Sequence, residues 1–189
     1  SGAVSVPANV LFDIDGFDLA SSVADRAAIA TLIPHRGDML LLDRIVWHDE
    51  GMDRGIAAKK VRSDEFWVPG HIPGQPLMPG VLMVEASAQL ASWMYYKRSG
   101  ETWFAGFTRI EDTTFREQVV PGDELFLLCQ CLKYNSKRFI CRAQGLVGGR
   151  VAFDTTVTGM AFPKMPIPER RPLEDCEPCG TMRGAPLRG

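Results

Sequence analysis

The sequence predicts an α+β protein in which one curved antiparallel sheet of about six strands wraps around one long central helix. Residues 80–98 read as a helix that is apolar on nearly all sides, so other elements must surround it. Most of the remaining chain consists of strand-like runs separated by Gly, Pro and Asn turns. One apolar helix and a run of short strands together favour a sheet curved around the helix.

The chain before the long helix predicts one short helix and one hairpin. Ser22 is the expected N-cap of the short helix, and Pro34 is its stop signal. Two strand-like runs then meet around Asp49–Arg54, where Gly51 suits a turn.

Strand-like runs follow the long helix, which should end where Arg98 and Gly100 supply a cation and a C′ glycine. The first two runs cover residues 102–110 and 113–120, and turn residues at 120–123, 135–137 and 148–150 separate the later ones. We therefore expect one domain over residues 22–162, an N-terminal arm over 1–21 and a Pro-rich C-terminal tail over 163–189.

Composition excludes several classes of function. The 189 residues carry a formal net charge of -2, which gives no basic footprint for nucleic acid. No apolar run approaches the roughly 18 residues of a membrane span. The segment 1–10 has neither a basic region nor an apolar signal core, so we expect a cytoplasmic protein.

The five cysteines fit a reducing compartment. Cys129, Cys131 and Cys141 lie in strand-like runs and read as small packed side chains. Cys176 and Cys179 form a CxxC pair in the tail, but no second pair or nearby His completes a zinc site. The sequence predicts no metal; a disulfide or a site between subunits is the alternative.

Glu85 is a lone carboxylate in the apolar helix. An unpaired ionised carboxylate there would cost several kcal/mol, so it should be hydrogen-bonded or protonated. Gln89 lies one turn later on the same face and can hydrogen-bond it. Such a carboxylate is either a functional group or part of a structural network.

His71 begins a stiff Pro- and Gly-rich segment that leads to the helix start at Gly80. Imidazole is a general base near neutral pH, and free N–H groups at a helix start attract an oxyanion. Base, acid and oxyanion site suit removal of a proton alpha to a thioester carbonyl with loss of a beta hydroxyl. Without further information, a lone loop histidine is more often a surface or hydrogen-bonded residue, and a lone buried glutamate is as often structural as catalytic, so both alternatives stay open.

The stretch HIPGQPLMPGVLMVEASAQ, residues 71–89, closely resembles the signature of the beta-hydroxyacyl-acyl-carrier-protein dehydratases of type II fatty-acid synthesis. IPHRGDMLLLDRIV, FAGF and VVPGDEL, which begin at residues 33, 104 and 119, resemble other blocks of that family in the same order. The resemblance covers roughly residues 23–162 and implies the hotdog fold.

The resemblance also implies roles for individual residues. His71 would abstract the C2 proton, and Glu85 would protonate the leaving hydroxyl. The Gly80 N–H, with that of Val81, would bind the thioester oxygen, and Gln89 would hold Glu85. The acid is Glu85, whereas the branch that also isomerises the double bond usually carries Asp, so isomerase activity is not expected.

The resemblance further implies a homodimer whose sites each combine the histidine of one subunit with the acid of the other; a trimer of dimers is the larger alternative. It implies an acyl carrier protein as partner and no cofactor. Guesses for the tunnel lining are Phe66, Trp67, Met78 and Trp93, and candidates for the docking patch are Arg36, Lys59, Lys60, Arg98 and Arg109.

Two features differ from the family's usual pattern, and the second of them bears on the site entrance. Ile72 replaces a phenylalanine, and the chain after FAGF is about three residues longer than the commonest form, which suggests a bulge. Two other functions stay open at this point. The chain could be a hotdog acyl thioesterase, which would release free acid, or a non-catalytic acyl-binding subunit.

Overall fold

The computed structural model describes residues 10–100 and 103–163. These residues form two α-helices, a short 3-10 turn at Gly37–Met39 and seven strands. The helices are α1 (Arg26–Leu32) and α2 (Gly80–Ser99), and the strands are β1 (Ala24–Asp25), β2 (Arg44–His48), β3 (Arg54–Lys60), β4 (Phe104–Phe115), β5 (Glu124–Asn135), β6 (Arg138–Val147) and β7 (Arg150–Phe162).

The strands form one antiparallel sheet in the order β1-β2-β3-β5-β6-β7-β4. Helix α2 crosses this sheet and contacts β3, β4, β5, β6 and β7. The predicted α+β architecture is confirmed. Six strands have five residues or more, and β1 is an additional pairing of two residues.

Helix α2 is buried along most of its length, as its apolar sequence predicts. Twelve of its 20 residues are buried, among them the large side chains of Trp93 and Met94. The helix ends at Gly100, whose φ of 64° is the left-handed conformation that glycine adopts most readily. The Gly100 N–H donates to the Tyr96 carbonyl and closes the last turn.

The two faces of the sheet belong to two apolar clusters because successive strand residues point to opposite faces. Ala57 and Leu127 pack in the cluster that contains α2. Their neighbours Ile56 and Leu128 pack in a second cluster with residues 10–19, including Ile14. The described part of the N-terminal arm therefore covers the face of the sheet opposite α2.

Two local predictions need correction. Helix α1 is capped by Asp25 and not by Ser22, because the Asp25 carboxylate accepts the Ala28 N–H. The two strand-like runs after residue 102 form a single strand, β4, that remains paired with β7 across two irregularities. One lies between Phe107 and Arg109, and the other falls between Glu111 and Thr114, which fits the longer chain in this region.

Other expectations concern the cysteines, the tail and membrane insertion. Cys129, Cys131 and Cys141 carry free thiols in the sheet. Cys176 and Cys179, with all of the tail after residue 163, lie outside the described residues. Within the described part of the chain, no helix is long and apolar enough to cross a membrane.

Gly159 on β7 has no side chain, and the ring of Phe139 packs directly against its backbone. A Cβ at this position would lie 2.1 Å from Cζ of Phe139, which is itself buried and stacked on Tyr95. We expect Gly159→Ala to lower the free energy of unfolding by about 1–3 kcal/mol through overpacking. Chemical denaturation measures this difference.

Gly70→Ala is the matched control, because a Cβ at Gly70 meets open space. It should change stability by less than about 0.5 kcal/mol. Equal stability of the two variants would contradict this account of the packing.

Candidate active site

His71 is held in a fixed orientation by the loop that precedes α2. Its Nδ1 lies 2.7 Å from the Leu77 carbonyl oxygen, and the Leu77 N–H donates back to the His71 carbonyl. The His71 N–H donates to the Trp67 carbonyl. A carbonyl only accepts, so Nδ1 carries the hydrogen and a neutral ring has its lone pair on Nε2. Nε2 is then the atom able to accept a proton.

The start of α2 lies beside the same histidine. Gly80 and Val81 are the first two helical residues, and Pro79 offers no side-chain cap. The first N–H groups of a helix have no partner within the helix and lie at the positive end of its dipole. His71, Met78, Gly80 and Val81 all line one cavity of about 490 Å³.

Glu85 lies one turn further along α2 and is held by two donors on the same oxygen. Nε2 of His35 lies 3.0 Å from Glu85 Oε1, and Nε2 of Gln89 donates to that oxygen at 2.9 Å. Burial raises the pKa of the Glu85 carboxyl, but these two hydrogen bonds outweigh burial and bring the pKa below its usual value. Hydrogen-bond donors of the protein therefore stabilise the ionised form of the Glu85 carboxyl at neutral pH.

Gln89 joins this carboxylate to the chain before β2. Its Nε2 also donates to the Met39 carbonyl at 2.7 Å, and its Oε1 accepts the Leu41 N–H at 2.9 Å. The side chain is fully buried and uses both amide hydrogens and its carbonyl oxygen. Gln89 thus fixes Glu85 and ties α2 to residues 39–41.

Glu85 and His71 do not meet within one chain. Glu85 and His35 line a second cavity, of about 140 Å³, whose wall is largely apolar and includes Phe104, Phe107 and Phe139. No residue lines both this cavity and the one that contains His71. Within the described part of a single chain, acid and base open onto different cavities.

His35 is the site residue that the sequence analysis did not single out. It belongs to the block IPHRGDMLLLDRIV, which carries part of the family resemblance, but its contact with Glu85 joins residues 50 positions apart. No local periodicity reports such a contact. The presence of a histidine in that block is the one signal that could have drawn attention to it.

The four guessed tunnel residues lie in different environments. Met78 lines the His71 cavity. Trp67 is buried and its indole N–H donates to Glu65, whereas Trp93 is buried and its ring faces His48. Phe66 is half exposed beside a polar surface pocket. Met78 is the one of the four that lines either cavity described above.

The cations considered for a docking patch also differ. Lys59 is 1% exposed and forms an ion pair with Glu65 at 2.9 Å, so it is not available to a partner at the surface. Arg98 and Arg109 pair with Asp53 and Glu111.

Among the residues described, no cluster of three His, Cys, Asp or Glu side chains could hold a metal ion.

Comparison with known proteins identifies the family. Residues 33–156, well over half of the chain, match the FabA-like domain. The chain belongs to the FabA-like domain family. This segment contains His35, His71, Gly80, Glu85 and Gln89.

Curated relatives of this FabA-like chain carry the name 3-hydroxyacyl-[acyl-carrier-protein] dehydratase FabZ. The protein from Nitratidesulfovibrio vulgaris is 39% identical over 144 residues, which cover 75% of this chain and 93% of the relative. The protein from Granulibacter bethesdensis is 34% identical over 148 residues, covering 77% and 86% of the two chains.

Solved structures share the fold at low identity. The dehydratase heterocomplex ApeI:P from Xenorhabdus doucetiae aligns with a TM-score of 0.61 at 15% identity, covering 70% of this chain and 90% of that one. Cj0977 from Campylobacter jejuni aligns with a TM-score of 0.59 at 17% identity, covering 77% and 95%. These matches support the fold and not a particular activity.

Gln89 offers a test of how the site is built. Gln89→Leu keeps the apolar packing but leaves the Met39 carbonyl and the Leu41 N–H without their partner. A buried unsatisfied group costs about 1–3 kcal/mol; the Leu41 N–H is buried and the Met39 carbonyl is partly buried, so we expect a loss of about 1–4 kcal/mol in the free energy of unfolding. Urea denaturation measures it.

Ser87→Ala is the control on the same helix. The Ser87 hydroxyl is buried but donates only to the Met83 carbonyl one turn earlier. Its removal should cost less than about 1 kcal/mol. A Gln89→Leu protein as stable as Ser87→Ala would show that the connection between α2 and residues 39–41 contributes little.

Proposed function

We propose that this chain dehydrates 3-hydroxyacyl thioesters on acyl carrier protein to trans-2-enoyl thioesters in fatty-acid synthesis. The observation that carries the proposal is the chemistry of two cavities in a FabA-like chain. One presents an oriented imidazole beside a helix start, and the other presents a lone carboxylate in an apolar wall. The names of the curated relatives support the same reaction.

The proposed reaction is a syn pair of proton transfers. Nε2 of His71 takes the proton from C2, and the C–H electrons form the new double bond. The hydrogen bonds to Glu85 favour its ionised form, so the reaction proceeds from the minor form in which Glu85 carries a proton. The C3–O bond breaks as protonated Glu85 gives this proton to the hydroxyl, which leaves as water. Charge that develops on the thioester oxygen is stabilised by the Gly80 N–H, assisted by that of Val81. Solvent resets both groups, and neither a metal nor a redox cofactor is required.

The proposed catalyst is a homodimer in which His71 of one subunit faces Glu85 of the other. The separate cavities of one chain support this arrangement, because a single chain offers the acid and the base apart. Strand β4 supports it too. It lies at the edge of the sheet, is 12 residues long, and exposes Phe107, Ile110 and Phe115. A long edge strand with exposed apolar side chains is suited to pairing with another chain.

The acyl chain is proposed to occupy the apolar cavity beside Glu85, and the thioester to lie near His71. Acyl carrier protein is acidic, so exposed cations near the entrance would receive it. Of the five candidate cations, Arg36, Lys60, Arg98 and Arg109 remain after the buried Lys59 is removed. We also propose that the protein acts in the cytoplasm, on substrates bound to acyl carrier protein.

His71→Ala and Glu85→Gln test this function. Each should lower kcat/KM by about 10²–10⁴-fold, since each removes one general acid or base. The reverse reaction, hydration of a crotonyl thioester, is monitored by the loss of absorbance at the enoyl band. Glu85→Gln keeps the size of the side chain, so the loss of activity in this variant reports on the ionisable group.

Asp38→Asn is the control, because Asp38 is exposed and lines neither cavity. It should leave kcat/KM unchanged. Activity that survives in both His71→Ala and Glu85→Gln would contradict the proposal. Release of free acid from an acyl thioester, without enoyl product, would favour a thioesterase instead.

A further inference from the structure

His35 is held against Glu85 by a segment that has little freedom. The residue lies between Ile33, which is buried, and the buried residues 40–42. The Arg36 guanidinium donates to the carbonyls of Ile33 and His35 and so braces the turn. Gln89 binds residues 39 and 41 from the other side. The His35 ring is therefore positioned by core packing and by hydrogen bonds.

The contact between His35 and Glu85 defines which ring nitrogen donates. Nε2 of His35 lies 3.0 Å from Glu85 Oε1. A carboxylate oxygen that has lost its proton only accepts, so Nε2 carries a hydrogen and donates it to Oε1.

Both donors reach the same oxygen of Glu85. Oε1 accepts from His35 Nε2 and from Gln89 Nε2, which fills its acceptor positions. Oε2 has no partner within the described residues and is not among the buried unsatisfied atoms. When the carboxyl is protonated, Oε1 must stay the accepting oxygen, so the proton belongs on Oε2.

The surroundings contain few other charges. The cavity wall contributed by α2, β4, β6 and β7 includes Ser92, Phe104, Phe139 and Val157, and among the described lining residues only His35 and Glu85 ionise. On the segment of His35 itself, Arg36 is turned to backbone carbonyls and the exposed Asp38 lines a different surface pocket. In the proposed dimer, the partner's His71 is the third group.

We propose that His35 is a positioning residue for the Glu85 acid: with Gln89 it occupies Oε1, so that Oε2 carries the proton and faces the substrate. This inference rests on the proposed dehydration. In this proposal His35 acts on the reaction through Glu85 and does not itself contact the reacting atoms. The role resembles that of a carboxylate that orients a catalytic histidine, with the two residue types exchanged.

Removal of the His35 hydrogen-bond donor should change the pKa of the Glu85 carboxyl in a known direction. A hydrogen bond to the carboxylate lowers its pKa, so removal of the donor raises the pKa of Glu85. The acidic limb of a bell-shaped pH–rate profile follows the lower macroscopic pKa of the acid–base pair, and the lowered pKa of the Glu85 carboxyl assigns that limb to Glu85. The acidic limb should therefore move to higher pH.

The test compares His35→Leu with His35→Gln. Leucine removes the donor, whereas the glutamine amide nitrogen can occupy the place of Nε2 and cannot titrate. For His35→Leu we expect kcat to fall by about 10- to 100-fold, with KM within about threefold, and the acidic limb to rise by about one pH unit. His35→Gln should restore the limb and much of kcat. Thr31→Ala, an exposed change on α1, should alter neither.

A second measurement separates this inference from the proposed function. The Glu85 carboxyl is titrated by ¹³C NMR in glutamate-labelled protein, and its signal is assigned by its loss in Glu85→Gln. Its midpoint should rise in His35→Leu and return in His35→Gln, even if the chain proves inactive on acyl thioesters. An unchanged midpoint in folded His35→Leu, with or without lower kcat, would overturn the positioning role. So would a His35→Gln midpoint as high as that of His35→Leu.

Discussion

The solvation of the Glu85 carboxylate by protein donors is the interaction on which the rest of the site depends. Helix α2 is buried on nearly every side, and an ionised group there would be costly without hydrogen bonds. Gln89 and His35 supply them, and Gln89 also binds the backbone at residues 39 and 41. The network that stabilises the acid is thus the network that connects the central helix to the segment before β2.

The elements with strong local signals could be predicted from the sequence. The uninterrupted apolar run predicts a helix over 80–98, and α2 extends over Gly80–Ser99, where Gly100 ends it. The pairing of Gln89 with Glu85 followed from helical spacing, and the hydrogen bond is present. The His71 loop was recognised from its prolines and glycines together with the family resemblance. Each of these inferences used residues close together in the chain.

The features that the sequence did not reveal depend on distant contacts. His35 approaches Glu85 only because the sheet and α2 pack together, and the cap at Asp25 depends on how the chain enters α1. Lys59 looks like a surface cation in the sequence, but Glu65 turns back over β3 and pairs with it in the interior. A long side chain can be solvated by a buried partner as well as by water, and spacing alone does not distinguish the two.

The central claim is that acid and base come from different subunits, and mixed dimers test it most directly. Two differently tagged subunits, one with His71→Ala and the other with Glu85→Gln, are co-expressed and the mixed dimer is isolated. Shared sites predict about half of wild-type activity, because one of two symmetric sites is intact. Wild type paired with the His71→Ala/Glu85→Gln double variant should then be inactive. Inactive mixed single variants, with half activity in the second pairing, would contradict the account.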